Sequence, residues 1–247
     1  MANINYVFKR TEKKYLINKE KYDSMLDCLE EYMSVDQYGK HTIGNIYFDT
    51  DTYDLISRSI EKPIYKEKLR LRSYGVPKAN DKVFIEIKKK YDGVVYKRRV
   101  SMTLTEARDY LYKGIKPKKD SQILREINYF VSFYQPVPKL YLAYDRIAYF
   151  GKEDPDIRIT FDHNIRSRGY NLDLGEGDYG DLLLESDTYL MEVKVAGAMP
   201  MWMAKLFSEL EIYPCSFSKY GNIYKQTILP NRRKQICSAV YYKQQAQ

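Results

Sequence analysis

A chain of 247 residues with 44% hydrophobic and 30% charged residues can build a core, which argues against disorder and allows one large domain or two small ones. Its formal net charge of +8 points to polyanionic partners: nucleic acid, a phospholipid surface or a phosphorylated substrate. Three cysteines without CxxC spacing and two histidines argue against a disulfide framework or a Cys/His zinc site, and no apolar run approaches the roughly 20 residues that span a bilayer.

The opening MANINYVFKRTEKKY lacks the apolar region of a signal peptide, so the sequence predicts a soluble, cytoplasmic protein. VFKRTEKKYLI (7–17) alternates as a strand, and Asn18 is placed to cap a helix with Tyr22, Met25, Leu26 and Leu29 at core spacing. HTIGNIYFDT (41–50) reads as the next strand, followed by a short helix capped by Asp51 or Thr52. Three period-two segments follow at 64–74, 82–91 and 94–102, and Asp92-Gly93 between the last two is a hairpin signal. Helices at 104–113 and 120–134 are separated at Pro117. Strands then recur at 138–151, 156–169 and 188–197, LDLGEGDYGD (172–181) reads as a surface loop, and helices near 201–211 and 218–229 close the chain. The simplest account is one α+β domain over 1–230, antiparallel sheet with peripheral helices, and a basic tail over 231–247.

The charged residues are not scattered. Lys66, Lys68, Arg70 and Arg72 share one face of their strand; Phe84, Glu86, Lys88 and Lys90 share another, opposite Val83, Ile85 and Ile87. Lys97 and Arg99 fall together, as do Arg158 and Thr160, and Glu192 and Lys194. The outside of an ordinary sheet would look the same on any single strand. Five such strands favour another arrangement, because helical stripes such as Leu26, Leu29 and Met33, or Met203, Leu206, Phe207 and Leu210, need an apolar sheet face to cover. A closed sheet with apolar side chains outward and charged ones inward satisfies both demands. Cations held inward need a counter-charge, so the cavity would take a polyanion. Glu86 and Glu192 among them make sense if a divalent cation bridges carboxylate and phosphate oxygens.

EKKYLI (12–17), YFDT (47–50), KLRLRSYG (68–75), FIEIKKK (84–90), YKRR (96–99), YDRIAY (144–149), IRITFD (157–162), LMEVKVAGAMPMW (190–202) and FSKYGN (217–222) together resemble the VTC domain of the triphosphate tunnel metalloenzymes. The resemblance implies an antiparallel, eight-stranded closed tunnel ringed by helices, and a polyphosphate polymerase that consumes ATP with a divalent metal, Mn2+ or Mg2+. It implies phosphate or nucleotide ligands at Lys14, Arg70, Arg72, Lys88, Lys97, Arg158 and Lys219, with Arg99 and Lys194 on the same faces, and a metal ligand at Glu192, with Glu86 beside it. Of the catalytic cations, Arg70 and Arg72 would clamp the nucleotide's phosphates and Lys97 and Lys219 would hold the transferring group or the chain end. The superfamily's hydrolases and cyclases begin ExExK; here Arg10 stands at the first Glu, leaving Glu12, as metal ligand or salt-bridged residue, and Lys14. Nothing resembles the membrane segments or regulatory domain found beside eukaryotic VTC domains, so an export partner at a membrane would be a separate chain.

Polymerising phosphate needs no general base, since a terminal phosphate oxygen is already ionised, and positioning with charge neutralisation carries the step. Pyrophosphate or triphosphate are further expected partners; the alternatives are a triphosphatase or polyphosphatase, and a non-catalytic polyphosphate-binding module, against which the retained Glu192 argues. The 26 tyrosines suggest base stacking, but basic residues interleaved with Glu on period-two faces argue against nucleic acid. Trp202 reads as core packing, His41 and His163 as structural or exposed, and NRRKQ (231–235) as solvated tail.

Overall fold

The computed structural model describes residues 11–232; the expected strand residues 7–10, Arg10 among them, and the tail beyond 232 lie outside the described residues. In chain order the elements are β1 (Thr11–Asn18), α1 (Lys19–Tyr32), β2 (Met33–Val35), β3 (His41–Asp49), α2 (Asp54–Ile60), β4 (Tyr65–Tyr74), β5 (Lys82–Tyr91), β6 (Val94–Thr103), α3 (Leu104–Lys113) and α4 (Gln122–Tyr134). There follow β7 (Val137–Gly151), β8 (Arg158–Arg168), β9 (Asp181–Leu182), β10 (Thr188–Val195), α5 (Met201–Glu209), β11 (Pro214–Cys215) and α6 (Lys219–Ile223), which runs on into a π-helical turn. They form two compact units, one from residues 11–42, 144–165 and 184–217, the other from 43–143, 166–183 and 218–232.

In the first unit β1 pairs antiparallel with β10 and β11, and β10 with β8. Alternation along these strands puts Tyr15, Ile17, Met191, Val193, Ile159 and Phe161 on one face. Helix α1 lays Tyr22, Met25 and Leu29 on it and α5 adds Met203, Leu206 and Phe207, as the apolar stripes require. Asn18 caps α1 as expected, its side chain accepting from the Lys21 amide at 2.9 Å. Trp202 stacks on Tyr32 with ring centroids 4.6 Å apart, a packing role.

In the second unit β4 lies between β3 and β5, and β5 pairs with β6 across a hairpin whose Asp92 and Gly93 have φ of 41° and 82°, the positive values a type I′ turn needs. Leu69, Leu71, Val83, Ile85 and Ile87 make a fully buried face under α3 and α4, which contribute Leu104, Ala107, Leu124, Ile127 and Phe130. Each such Leu, Val, Ile or Phe side chain contributes about 1.5–3 kcal/mol. Thr103 and Glu106 form a capping box at α3.

Two expectations change. Helix α2 is not capped by Asp51 or Thr52: Tyr53 is left-handed (φ 63°), which turns the helix start back onto Asp49 and Thr50. The buried Asp49 carboxylate accepts from the amides of Leu55 (2.9 Å) and Ile56 (3.0 Å), and Thr50 Oγ1 accepts from the Asp54 amide. Segment 172–181 is more than a surface loop, since Leu174 is 1% exposed and Asp173 takes both Nε and Nη2 of Arg108 at 2.6 Å. Eleven strands are described, eight of them eight residues or longer. Among the described residues the ladder within each unit is open, ending at β11 in the first and at β6 in the second. Among the described residues no helix is long and apolar enough to cross a membrane.

Candidate functional site

Strand alternation gathers the cations of the second unit. Even residues of β4 and β5 and odd residues of β6 share a face, and the register aligns Tyr47, Arg70, Glu86 and Arg99 in one row. Asn45, Arg72 and Phe84 form the next row; Lys68, Lys88 and Lys97 form the row on the other side. Glu86 is 1% exposed and has three cations around it: Arg70 Nη2 at 2.7 Å, Lys97 Nζ at 2.9 Å and Arg72 Nη1 at 3.7 Å. Burial alone would raise its carboxyl, but Arg70, Arg72 and Lys97 together hold it down at about 2. Burial, with Arg70 and Arg72 added, pushes the Lys97 ammonium down further than Glu86 lifts it.

The guanidiniums are held in place by neutral neighbours as well. Arg72 Nε donates to Asn45 Oδ1 at 3.0 Å, and Asn45 Nδ2 donates to the Leu142 carbonyl at 3.1 Å. Arg70 Nη1 donates to the Tyr47 hydroxyl at 3.2 Å. Burial opposes ionisation of that phenol, yet Arg70, Lys68 and Arg72 draw it down to about 8. Arg99 lies over the Phe84 ring at 4.9 Å, and Lys219 opens α6, half-buried. Three cations sharing one carboxylate leave net positive charge in a fixed geometry, the requirement for gripping phosphate oxygens. A divalent cation is a poor fit at Glu86, because Arg70, Arg72 and Lys97 already surround that carboxylate.

The first unit carries its own cluster. Lys14, Glu192 and Thr160 are aligned across β1, β10 and β8, with Glu12, Lys194 and Arg158 in the adjacent row. Glu192 lies 3.5 Å from Lys14 Nζ and 3.9 Å from Arg146 Nη2. Lys14 also donates to the Phe217 carbonyl at 3.1 Å. Arg146 is clamped by the buried Asp162, Nε to Oδ1 at 2.5 Å and Nη2 to Oδ2 at 2.7 Å. Burial works against its charge, but Asp162 holds it well above the ordinary guanidinium value. Glu12 pairs with Lys194 (3.5 Å) and Lys14 (3.8 Å), the salt-bridged alternative for this residue. Arg158 is 52% exposed, 3.9 Å from Asp36.

The donor set beside Glu192 suits a divalent cation that arrives with phosphate. Among the described residues no group of three His, Cys, Asp or Glu side chains could hold a metal unaided. Thr160 Oγ1, in register with Glu192, is buried without a hydrogen-bond partner, so a hard oxygen donor is left over next to the carboxylate. One carboxylate, that hydroxyl and ligand oxygens make a chemically consistent set.

Register thus brings Arg70, Arg72, Lys88, Lys97, Arg99 and Glu86 onto one face of the second unit, and Lys14, Arg158, Lys194 and Glu192 onto one face of the first. Sequence reasoning missed Arg146, whose signal was the Asp145-Arg146 pair inside the otherwise aliphatic and aromatic YLAYDRIAYF, and the roles of Tyr47, Asn45 and Thr160, which depend on cross-strand register. His41 and His163 bond the carbonyls of Gly39 and Ser186.

A family model described as the VTC domain matches residues 9–228. No curated protein matches the chain by sequence. Among solved structures, a candidate adenylate cyclase from Bacillus halodurans is similar at 15% identity and a TM-score of 0.54, over 84% of this chain and 92% of that one. A candidate adenylyl cyclase from Hippeastrum, described as having a dominant triphosphatase activity, is similar at 17% identity and a TM-score of 0.53, over 87% of this chain and 94% of that one.

Proposed function

Because the chain belongs to the VTC domain family, we propose that it is a polyphosphate polymerase of the triphosphate-tunnel type, moving the terminal phosphate of ATP onto a growing inorganic polyphosphate chain. The observation that carries this reading is the Glu86 cluster: Arg70, Arg72 and Lys97 converge on one buried carboxylate, oriented by Asn45 and Tyr47. Arg70, Arg72 and Lys88 bind and orient the nucleotide's phosphates; Arg158, in the first unit, is a further phosphate ligand. Lys97 and Lys219 neutralise charge on the transferring group, which is where electrostatic help accelerates phosphoryl transfer. Glu192, 3.5 Å from Lys14 Nζ and 3.9 Å from Arg146 Nη2, would with Thr160 hold magnesium or manganese. The ion, when bound, supplies Lewis-acid neutralisation of phosphate oxygens. Glu86 serves as counter-ion to its three cations.

A phosphate acceptor suits a chain whose two histidines bond backbone carbonyls, because the polyphosphate terminus needs no base to attack. The test is incubation with ATP and manganese, with and without a short polyphosphate primer, resolving products on gels beside Arg70→Ala and Glu192→Ala. Long chains with ADP, reduced roughly a hundredfold or more in each variant, support the polymerase. Orthophosphate without chain growth would move the assignment to hydrolysis, and binding without turnover would leave a polyphosphate-binding module.

A further inference from the structure

Opposite the Glu86 face, the odd residues of β4 and β5 and the even residues of β6 point outward, and where Leu69, Leu71, Ile85 and Ile87 stand they are buried under α3 and α4. Near the Asp92-Gly93 turn the same outward face is left in water. Tyr65, Tyr91 and Val94 form one row there and Glu67, Lys89 and Tyr96 the next. Tyr65, Tyr91, Val94 and Tyr96 are 46%, 58%, 48% and 52% exposed.

Helix α4 extends this surface. Tyr129 and Phe133, one turn apart, are 67% and 66% exposed and stack on each other with ring centroids 5.9 Å apart. The helix is fixed to the strand ends: Phe133 packs edge-on against Tyr134 at 4.8 Å, Tyr134 donates to Glu67 at 2.8 Å, and Lys89 lies 3.9 Å from Glu126. Burial, then Glu67 and Tyr129, push the Tyr65 phenol up to about 12, which sets Tyr65 and Tyr129 side by side. The core does not use these rings, since α4 already covers the sheet with Leu124, Ile127 and Phe130. A contiguous apolar patch kept in water marks a surface that meets something.

Charge decides what it meets. Residues 61–68 and 88–98, which build this end of the strands, hold eight Lys or Arg against three acids, Glu61, Glu67 and Asp92. A second copy docked about a two-fold axis would set cations against cations, and like charges across an interface repel. Tyr and Phe rings bordered by Lys and Arg match the boundary of a bilayer, where rings sit at headgroup level and long cationic side chains reach lipid phosphates.

We propose that this end of the second unit docks onto an anionic phospholipid surface. Tyr65, Tyr91, Tyr129 and Phe133 enter the headgroup layer, Lys89 and Arg98 on the same outward face meet lipid phosphates, and the Glu86 face is turned the other way. The docking needs nothing from the phosphate-transfer reading.

The test is sedimentation of the full chain with vesicles of phosphatidylcholine alone and of phosphatidylcholine mixed with phosphatidylglycerol, at low and high salt, with and without saturating tripolyphosphate. The proteins are wild type, Tyr129→Gln/Phe133→Gln and Lys89→Gln/Arg98→Gln, with thermal melts confirming folding and light scattering reporting mass. Wild type is expected to partition onto the mixed vesicles roughly tenfold more strongly than onto phosphatidylcholine, less so at high salt and equally well with tripolyphosphate present. Each double variant should lose roughly tenfold on the mixed vesicles while its affinity for tripolyphosphate stays within about twofold. Wild-type partitioning by Tyr129→Gln/Phe133→Gln would overturn the proposal. So would release of the protein from vesicles by tripolyphosphate, which would assign the lipid phosphates to the Glu86 face. Failure of the wild type to bind the mixed vesicles would overturn it too, and a dimer in solution would then give the patch to a second copy.

Discussion

Glu86 occupies the position among Arg70, Arg72 and Lys97 that an anionic ligand would compete for. Its carboxyl ionises at about 2 rather than 4.5, so the stability it lends is complete above pH 4.5 and is lost as the pH falls towards 2. Glu86→Gln should flatten that acid limb in urea unfolding and cost on the order of 3–5 kcal/mol at neutral pH, with tripolyphosphate restoring more stability to the variant than to wild type. Identical pH slopes for the two proteins would show that Glu86 is not the titrating counter-ion. Tyr47 offers a second handle, since Arg70 and Lys68 favour its phenolate against burial. One tyrosine should therefore titrate at about 8 in an ultraviolet pH titration, vanish in Tyr47→Phe, and shift upward when phosphate loads Arg70. An early-titrating tyrosine that survives in Tyr47→Phe would assign the effect elsewhere.

Elements were legible where a single local signal decides them. Asp92-Gly93 fixed the β5–β6 hairpin because both positions need positive φ, and Asn18 marked the start of α1 because its side chain reaches the Lys21 amide. The start of α2 was misread because the cap is set by the left-handed Tyr53, an aromatic in a conformation that sequence preference assigns to Gly or Asn. Asp49→Ala should accordingly destabilise the protein by about 2 kcal/mol in denaturant melts, whereas Thr52→Ala should stay within about 0.5 kcal/mol. A larger loss at Thr52 would restore the sequence-based cap. The two- and three-residue strands β2, β9 and β11 are too short to carry periodicity, and tertiary pairing alone makes them strands.

For the whole chain, period-two parity revealed which cations share a face, but not which strands would be neighbours. That Lys14 stands beside Glu192, or Arg72 beside Asn45, follows from register between segments far apart in sequence. Arg146 escaped notice for the same reason, since its value lies in Asp162 and Glu192 on other strands. The clusters and the net charge of +8 together predict that tripolyphosphate at a hundredfold excess over its Kd raises Tm by roughly 5–10 °C, with the shift shrinking as salt rises. A shift indifferent to salt in a thermal melt would mean that charge is not what holds the ligand.

The pairing of β1 also governs how the chain is made. Asn18 pairs with Thr188 and Lys14 with Cys215, separations of 170 and 201 residues. A ribosome adding about 5–20 residues per second leaves β1 without its neighbours for roughly ten to forty seconds. During that interval Tyr15 and Ile17 have no sheet to join, so the nascent chain presents a bare strand edge that a chaperone can shield and that crowded polysomes can cross-pair. Translation speed between β1 and β11 is therefore expected to set the yield of folded protein more strongly than any single substitution on the cationic faces.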